Sequence, residues 1–225
     1  MKLTSLIVAA AVLLAGACPA MAADRSNGAE PKSGPSDQVG APGPATIFSN
    51  IAKKYPNSLY LCCHPYFIDG PTSGGHMLWD AESFTPASDD TITRIQVAAG
   101  YGGGTNEVVV ALYSDNGGVP GTLIKSWRRK NLPPAFSCCA LLAFTVSPGI
   151  PVTGGTKYWL ALQTDSTNKD ASVAWNSNTT DQISGMDFAQ YCSNDAGGPT
   201  CSTPNDQWTS TGPIVPGLAF AILGN

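Results

Sequence analysis

Charge is scarce in this sequence. Asp, Glu, Lys and Arg make up 12% of its 225 residues, and there are two histidines, His64 and His76. Helices of soluble domains carry charged side chains along their wet face, so this scarcity argues against a helical protein. No segment of useful length has a helical period; "TIFSNIAKKY" (46–55) comes nearest and is expected to form a turn or two at most. Beyond the N-terminal leader no long apolar run exists, which excludes a transmembrane helix from the expectation. Recognisable catalytic patterns are also missing. There is no G-x-S-x-G elbow and no H-E-x-x-H. From residue 46 on, the glutamates are Glu82 and Glu107, in or beside different strands, and the aspartates lie mostly in loops, so no glycosidase-like carboxyl pair is marked. His64 and His76 read as surface or strand-end imidazoles. No enzymatic activity and no cofactor are expected.

What is present points to export. Lys2 precedes the apolar run "LIVAAAVLLAGA", and Ala20-Met21-Ala22 offers an A-x-A cleavage site, so residues 1–22 read as a secretory signal peptide. A lipid on Cys18 is the minor alternative. Removing the leader takes away Lys2 and no acidic residue, which moves the formal net charge from −4 to −5. That balance disfavours nucleic acid and anionic membrane surfaces as partners. The one basic cluster, "SWRRKN" (126–131), reads as the solvated edge of a strand. Residues 23–45 are rich in Pro, Gly and Ser with almost no large apolar side chain, and read as a flexible tether. One domain is expected over 46–225, long enough to bury a core.

Six cysteines remain after the leader: Cys62, Cys63, Cys138, Cys139, Cys192 and Cys201. An even number in an exported chain suggests disulfides. Cys192 and Cys201 flank a short Gly/Pro loop and are expected to pair. Adjacent cysteines seldom bond each other, so the 62/63 doublet is expected to join the 138/139 doublet, in either order. Such a bridge closes about 75 residues and constrains the unfolded chain by roughly 3–4 kcal/mol. "CCHP" (62–65) with the second doublet could in principle hold zinc, but adjacent ligands fit that ion poorly and no metal is expected.

Strand patterns dominate from residue 58 on. They cover 58–63, 76–84, 91–99, 107–114, 122–129, 140–146, 157–164, 171–176, 185–191 and 217–223, separated by Gly-, Pro- and Asn-rich loops. Alternation predicts Thr93, Ile95 and Val97 inward, Val108, Val110 and Leu112 on one face, and Tyr158, Leu160 and Leu162 opposite Trp159. Such spacing without crossover helices predicts an antiparallel β-sandwich, jelly-roll-like. The stretch "SDNGGVPG" (114–121) could offer Asp115 and Asn116 to a cation, yet these are too few oxygens for Ca²⁺. The turn reading uses more of the residues: Asp115, Asn116, Gly117 and Gly118 in the reversal, with Val119-Pro120-Gly121-Thr122 fitting a type II turn.

The order "AESFTPASDDTITRIQVAAG", "NEVVVALYSDNGGVPGTLI", "GGTKYWLAL", "ASVAWN" resembles the exported bacterial choice-of-anchor type of β-sandwich domain over about residues 60–225. The resemblance implies a sandwich at the cell surface or outside it, and carries over no catalytic residue. No C-terminal anchor is visible in this chain.

Aromatic residues are the remaining functional lead. Trp79, Trp127, Trp159, Trp175 and Trp208 all fall in or near strands, and indoles stack on sugar faces. Trp159 and Trp175, with Asn176 and Asn178 beside the latter, are the expected ligand residues, against a reading in which the tryptophans fill the core. "NTT" (178–180) matches a glycosylation sequon but reads as a polar loop. The expected protein is a secreted or surface-associated, non-catalytic binding module, with a glycan or other cell-surface polymer as partner. A polysaccharide or peptide hydrolase and a purely structural matrix protein are the alternatives.

Overall fold

A computed structural model describes residues 44–51, 60–73, 77–136, 141–165, 167–178, 186–193, 207–214 and 216–225. The leader and nearly all of the tether, His76 and Cys138, Cys139 and Cys201 lie outside them, as do the side chains of Cys62, Cys63 and His64.

The described residues contain no helix and thirteen strands. In chain order these are β1 (Ala45–Ser49), β2 (Leu61–Asp69), β3 (Met77–Phe84), β4 (Asp90–Val97), β5 (Ala99–Gly103), β6 (Glu107–Asp115), β7 (Pro120–Lys130), β8 (Leu142–Val152), β9 (Tyr158–Gln163), β10 (Ser172–Ser177), β11 (Phe188–Ser193), β12 (Trp208–Gly212) and β13 (Phe220–Gly224). The smaller sheet has the order β1-β13-β4-β8. The larger runs β5-β10-β2-β3-β9-β6-β7, with β11 joined to β3 and β12 joined to β11. Every strand pairing is antiparallel. The chain visits the small sheet four times, at β1, β4, β8 and β13, and returns to the large one between visits.

The main core lies between the sheets. Ile92, Ile95, Val97, Leu142, Phe144, Phe220 and Ile222 of the small sheet meet Ile68, Phe84, Val108, Val110, Leu112, Leu160, Leu162 and Val173 of the large one. Phe220 packs edge-on to Phe84 and to Trp175, with centroids 6.1 and 6.2 Å away. The alternations in β6 and β9 therefore point as their sequence pattern predicts, because a two-residue period buries every second side chain. In β4 the inward set differs. A bulge between Ile92 and Arg94 inserts one residue, so Ile92 is buried and Thr93 is only half-buried.

Three local expectations are corrected. The segment expected to form a helical turn starts with strand β1, whose Ala45–Ser49 pairs with β13 and brings Phe48 onto Phe220 at 5.0 Å. "AGYGGGTN" is not all loop: Ala99–Gly103 forms β5, where glycines admit the close approach of Pro134 and Ala135. Strand β8 runs on to Val152, through residues expected to be loop. Pairing to a neighbour supplies backbone partners that local composition does not reveal.

The reversal at "SDNGGVPG" is a hairpin between β6 and β7. Asn116 N–H donates to Val119 O at 2.9 Å, and Gly117 and Gly118 take φ of 66° and 92°. The type II turn expected at 119–122 is not what forms, because Gly121 does not adopt positive φ and Pro120 already pairs with Asp115 as the first residue of β7. The basic cluster sits on β7, the last strand on its side of the large sheet. Arg128 is paired with Glu107 and Asp165, and Lys130 lies 3.3 Å from Glu107. Charged side chains along an edge strand oppose edge-to-edge association.

Candidate functional site

The outer face of the large sheet carries a second apolar cluster. Ala189 of β11, Ala81 of β3, Ala161 of β9 and Ala111 of β6 are successive cross-strand partners and form one row, fully buried or nearly so. Four methyl groups in register leave a shallow trough, because no larger side chain fills the space above them. Aromatic rings occupy it. Trp208 packs on the row, and its ring lies 6.1 Å from Tyr113, 5.8 Å from Tyr191 and 6.4 Å from Trp79. Trp79 and Tyr191, cross-strand partners, stack at 4.5 Å with planes 20° apart.

Trp208 and Tyr113 belong to strands four steps apart, roughly 19 Å across a flat sheet. Their contact therefore requires the sheet to curl so that β12 lies over the alanine row. Polar groups fix the rings. Trp79 Nε1–H donates to Thr164 Oγ1 at 3.0 Å, and Tyr113 O–H donates to Gln163 Oε1 at 2.8 Å. Trp79, Tyr191 and Trp208 remain half-buried, so part of each ring is at the surface.

The residues expected to hold a ligand lie elsewhere. Trp159 is on the outer face, opposite Tyr158 and Leu160, but it is fully buried within the alanine cluster. Its Nε1–H donates to Asp115 Oδ1 at 2.7 Å, and Gly118 N–H donates to the same carboxylate at 3.3 Å. Asp115 thus anchors an indole and a turn. Trp175 is fully buried between the sheets, where its Nε1–H donates to Ala219 O at 3.2 Å. Asn176 is buried and donates from Nδ2 to Ala98 O at 3.0 Å. Asn178 is also buried, and neither amide atom has a hydrogen-bond partner among the described residues. None of these four side chains presents a surface to a ligand: Trp175, Asn176 and Asn178 are buried, and the outer face over β9 is covered.

A second arrangement lies beneath the aromatic face. Asp80 and Glu82 alternate with Trp79 and Ala81 along β3 and point into the inter-sheet core, each essentially without exposure. Two residues apart on a strand, they stand about 7 Å from each other along the backbone. Gln190 Nε2–H donates to Asp80 Oδ1 at 3.0 Å, whereas Asp80 Oδ2 has no hydrogen-bond partner among the described residues. Leu218 N–H donates to Glu82 Oε2. Burial pushes the Asp80 carboxyl up to about 7, helped by the charge of Asp69 and opposed by the Gln190 hydrogen bond. Burial likewise raises Glu82 well above the ordinary range, with Leu218 N–H opposing and Asp80 adding to the rise. The Tyr66 phenol is raised by burial and by both carboxyl groups. The sequence holds the signal for this pair: "WDAES" places Asp80 and Glu82 on one face of a strand. A carboxyl group titrating near neutrality beside a second one suits proton transfer. Here both are sealed from solvent.

Among the described residues, no group of three or more His, Cys, Asp or Glu comes together as a metal site. No helix there is long and apolar enough to cross a membrane. Comparison of the chain with known families, curated proteins and solved structures gives no match.

Proposed function

We propose that this protein is an exported, non-catalytic sandwich module that binds the face of a saccharide on its outer aromatic cluster. The observation that carries the reading is the group Trp79, Tyr191 and Trp208: three half-buried rings held together on one face, with Thr164 and Gln163 fixing the cluster's rings. Sugar faces stack on such rings at little entropic cost, because the rings are already ordered. No unpaired cation of the described residues belongs to the cluster, so a neutral saccharide suits it better than an anionic one. The signal-peptide pattern and the likeness to choice-of-anchor domains support a place outside the cell or on its surface, and we read the sandwich as jelly-roll-like. In the same reading Cys192 pairs with Cys201 and the two cysteine doublets join each other.

A glycan array and pull-down on insoluble neutral glucan, xylan and mannan test the ligand. Retention on at least one is expected, weakened roughly fivefold or more by Trp208→Ala, an aromatic truncation of about 1–3 kcal/mol. No retention on any polymer, with the protein folded, sinks the reading.

A hydrolase is the second reading, favoured by Asp80 and Glu82 alone. It requires an opening that admits a glycosidic oxygen to the inter-sheet core. Release of reducing sugar from the same polymers, abolished by Asp80→Asn, would replace the first reading with this one.

A further inference from the structure

The buried acid pair and the aromatic cluster are built on the same two strands. On β3, Trp79 and Ala81 face outward while Asp80 and Glu82 face the inter-sheet core. On β11, Tyr191 faces outward and stacks on Trp79, while its neighbour Gln190 faces inward and donates to Asp80. A hydrogen bond below the sheet and a ring stack above it are therefore made by adjacent residues of one strand pair, held in register from Met77–Ser193 to Glu82–Phe188.

Among the described residues, the groups around the pair supply no counter-charge. Strand β2 contributes Asp69, whose charge disfavours ionisation of Asp80, and Tyr66, a phenol that the two carboxyl groups themselves hold protonated. Strand β9 places Leu160 and Leu162 opposite the pair, and β11 places Phe188 and Gln190 there. The segment before β13 contributes the backbone N–H of Leu218. Gly217, where an added Cβ would meet Glu82 Oε1 and the Asn178 amide, has no side chain to offer. Lys157, the cation paired with Asp187 just before β11, is already neutralised there. Ionising either carboxyl places an uncompensated charge in the core, and ionising both places two like charges on one strand face.

We propose that Asp80 and Glu82 form a proton-operated control of the aromatic face. With both protonated, β3 and β11 stay in register and Trp79 is held against Tyr191. When they ionise, mutual repulsion and the demand for water loosen this strand pair, and the two rings lose their stack. The inference rests on the reading of that face as the binding site, and it makes saccharide binding tighter in acidic surroundings than in alkaline ones.

The test reads the coupling and the ligand separately, on the intact protein between pH 5 and pH 8.5. Hydrogen exchange of the amides of 188–193, corrected for the intrinsic rate, is followed together with the near-ultraviolet circular dichroism of the aromatic cluster. Wild type is expected to lose protection by roughly tenfold or more as the pair ionises. Asp80→Asn/Glu82→Gln is expected to stay flat, and Asp80→Asn alone serves if the double variant does not fold. Unchanged protection in wild type, or the same loss in the variants, overturns the proposal. Retention on neutral glucan at the same pH values is measured in parallel. Retention that falls with pH in wild type only supports the full inference. Exchange that responds as expected while no polymer is retained at any pH leaves the control standing and removes the saccharide reading.

Discussion

The Asp80 carboxyl makes stability itself depend on pH in a direction opposite to that of most carboxylates. In the unfolded chain the group titrates near its ordinary value of 3.8, and in the folded protein it is pushed up to about 7. Between these values the folded state keeps a proton that the unfolded chain has released. Unfolding then releases a proton, so stability falls as pH rises. The contribution is fully present below about pH 4 and is lost by about pH 7. Each unit is equivalent to about 1.36 kcal/mol, which over some three units amounts to about 4 kcal/mol. Glu82, raised in the same direction, adds to the fall. Asp165 works against it: partial burial pulls its carboxyl up, but the hydrogen bonds of Thr167 and Arg128 together outweigh that and hold it below the usual range, so its contribution appears as pH rises and is lost on acidification. The informative quantity is therefore the difference between wild type and Asp80→Asn, which stays neutral at every pH. Urea unfolding followed by tryptophan fluorescence at whole pH values from 4 to 8 measures it, with a constant m-value as the check on two-state behaviour. The variant is expected to gain on wild type steadily from pH 4 to pH 7. A flat difference curve, or one in which wild type gains with pH, refutes the argument that this carboxyl is neutral because it is buried.

Trp159→Phe removes the donor to Asp115 while keeping a ring in the alanine cluster, and is expected to cost about 1.5–3 kcal/mol, read from the urea midpoint. Gly217→Ala pushes a methyl group against Glu82 Oε1 and should cost about 1–3 kcal/mol; shortening the partner with Glu82→Asp should recover part of the loss. Non-reducing peptide mapping should join Cys192 to Cys201 and one doublet to the other. Free thiols at all four doublet positions would reject the second pairing.

Much of the fold is legible residue by residue. Val108, Val110 and Leu112, and Leu160 and Leu162, occupy the inner face that their alternation assigns, since a strand's side-chain period is a local property. Thr93 fails for an identifiable reason: one inserted residue at the β4 bulge passes the inward position to Ile92. The site was less legible. Trp159 occupies an outward strand position, and an outward indole reads as a ligand platform until something covers it. Trp79 and Trp208 are two of five tryptophans with no local mark to set them apart, and the D-x-E alternation at Asp80 and Glu82 becomes a buried pair only once β3 is placed centrally in its sheet.

The all-β character and the inward sets of β6 and β9 follow from composition and from a two-residue period, which act within a few residues of chain. The row Ala189–Ala81–Ala161–Ala111, the contact of Trp208 with Tyr113 and the seal over Asp80 and Glu82 were decided only by tertiary structure. Each depends on which strands are neighbours, in what register, and how far the sheet curls. Those are consequences of packing distant segments together, so no short stretch of the chain encodes them.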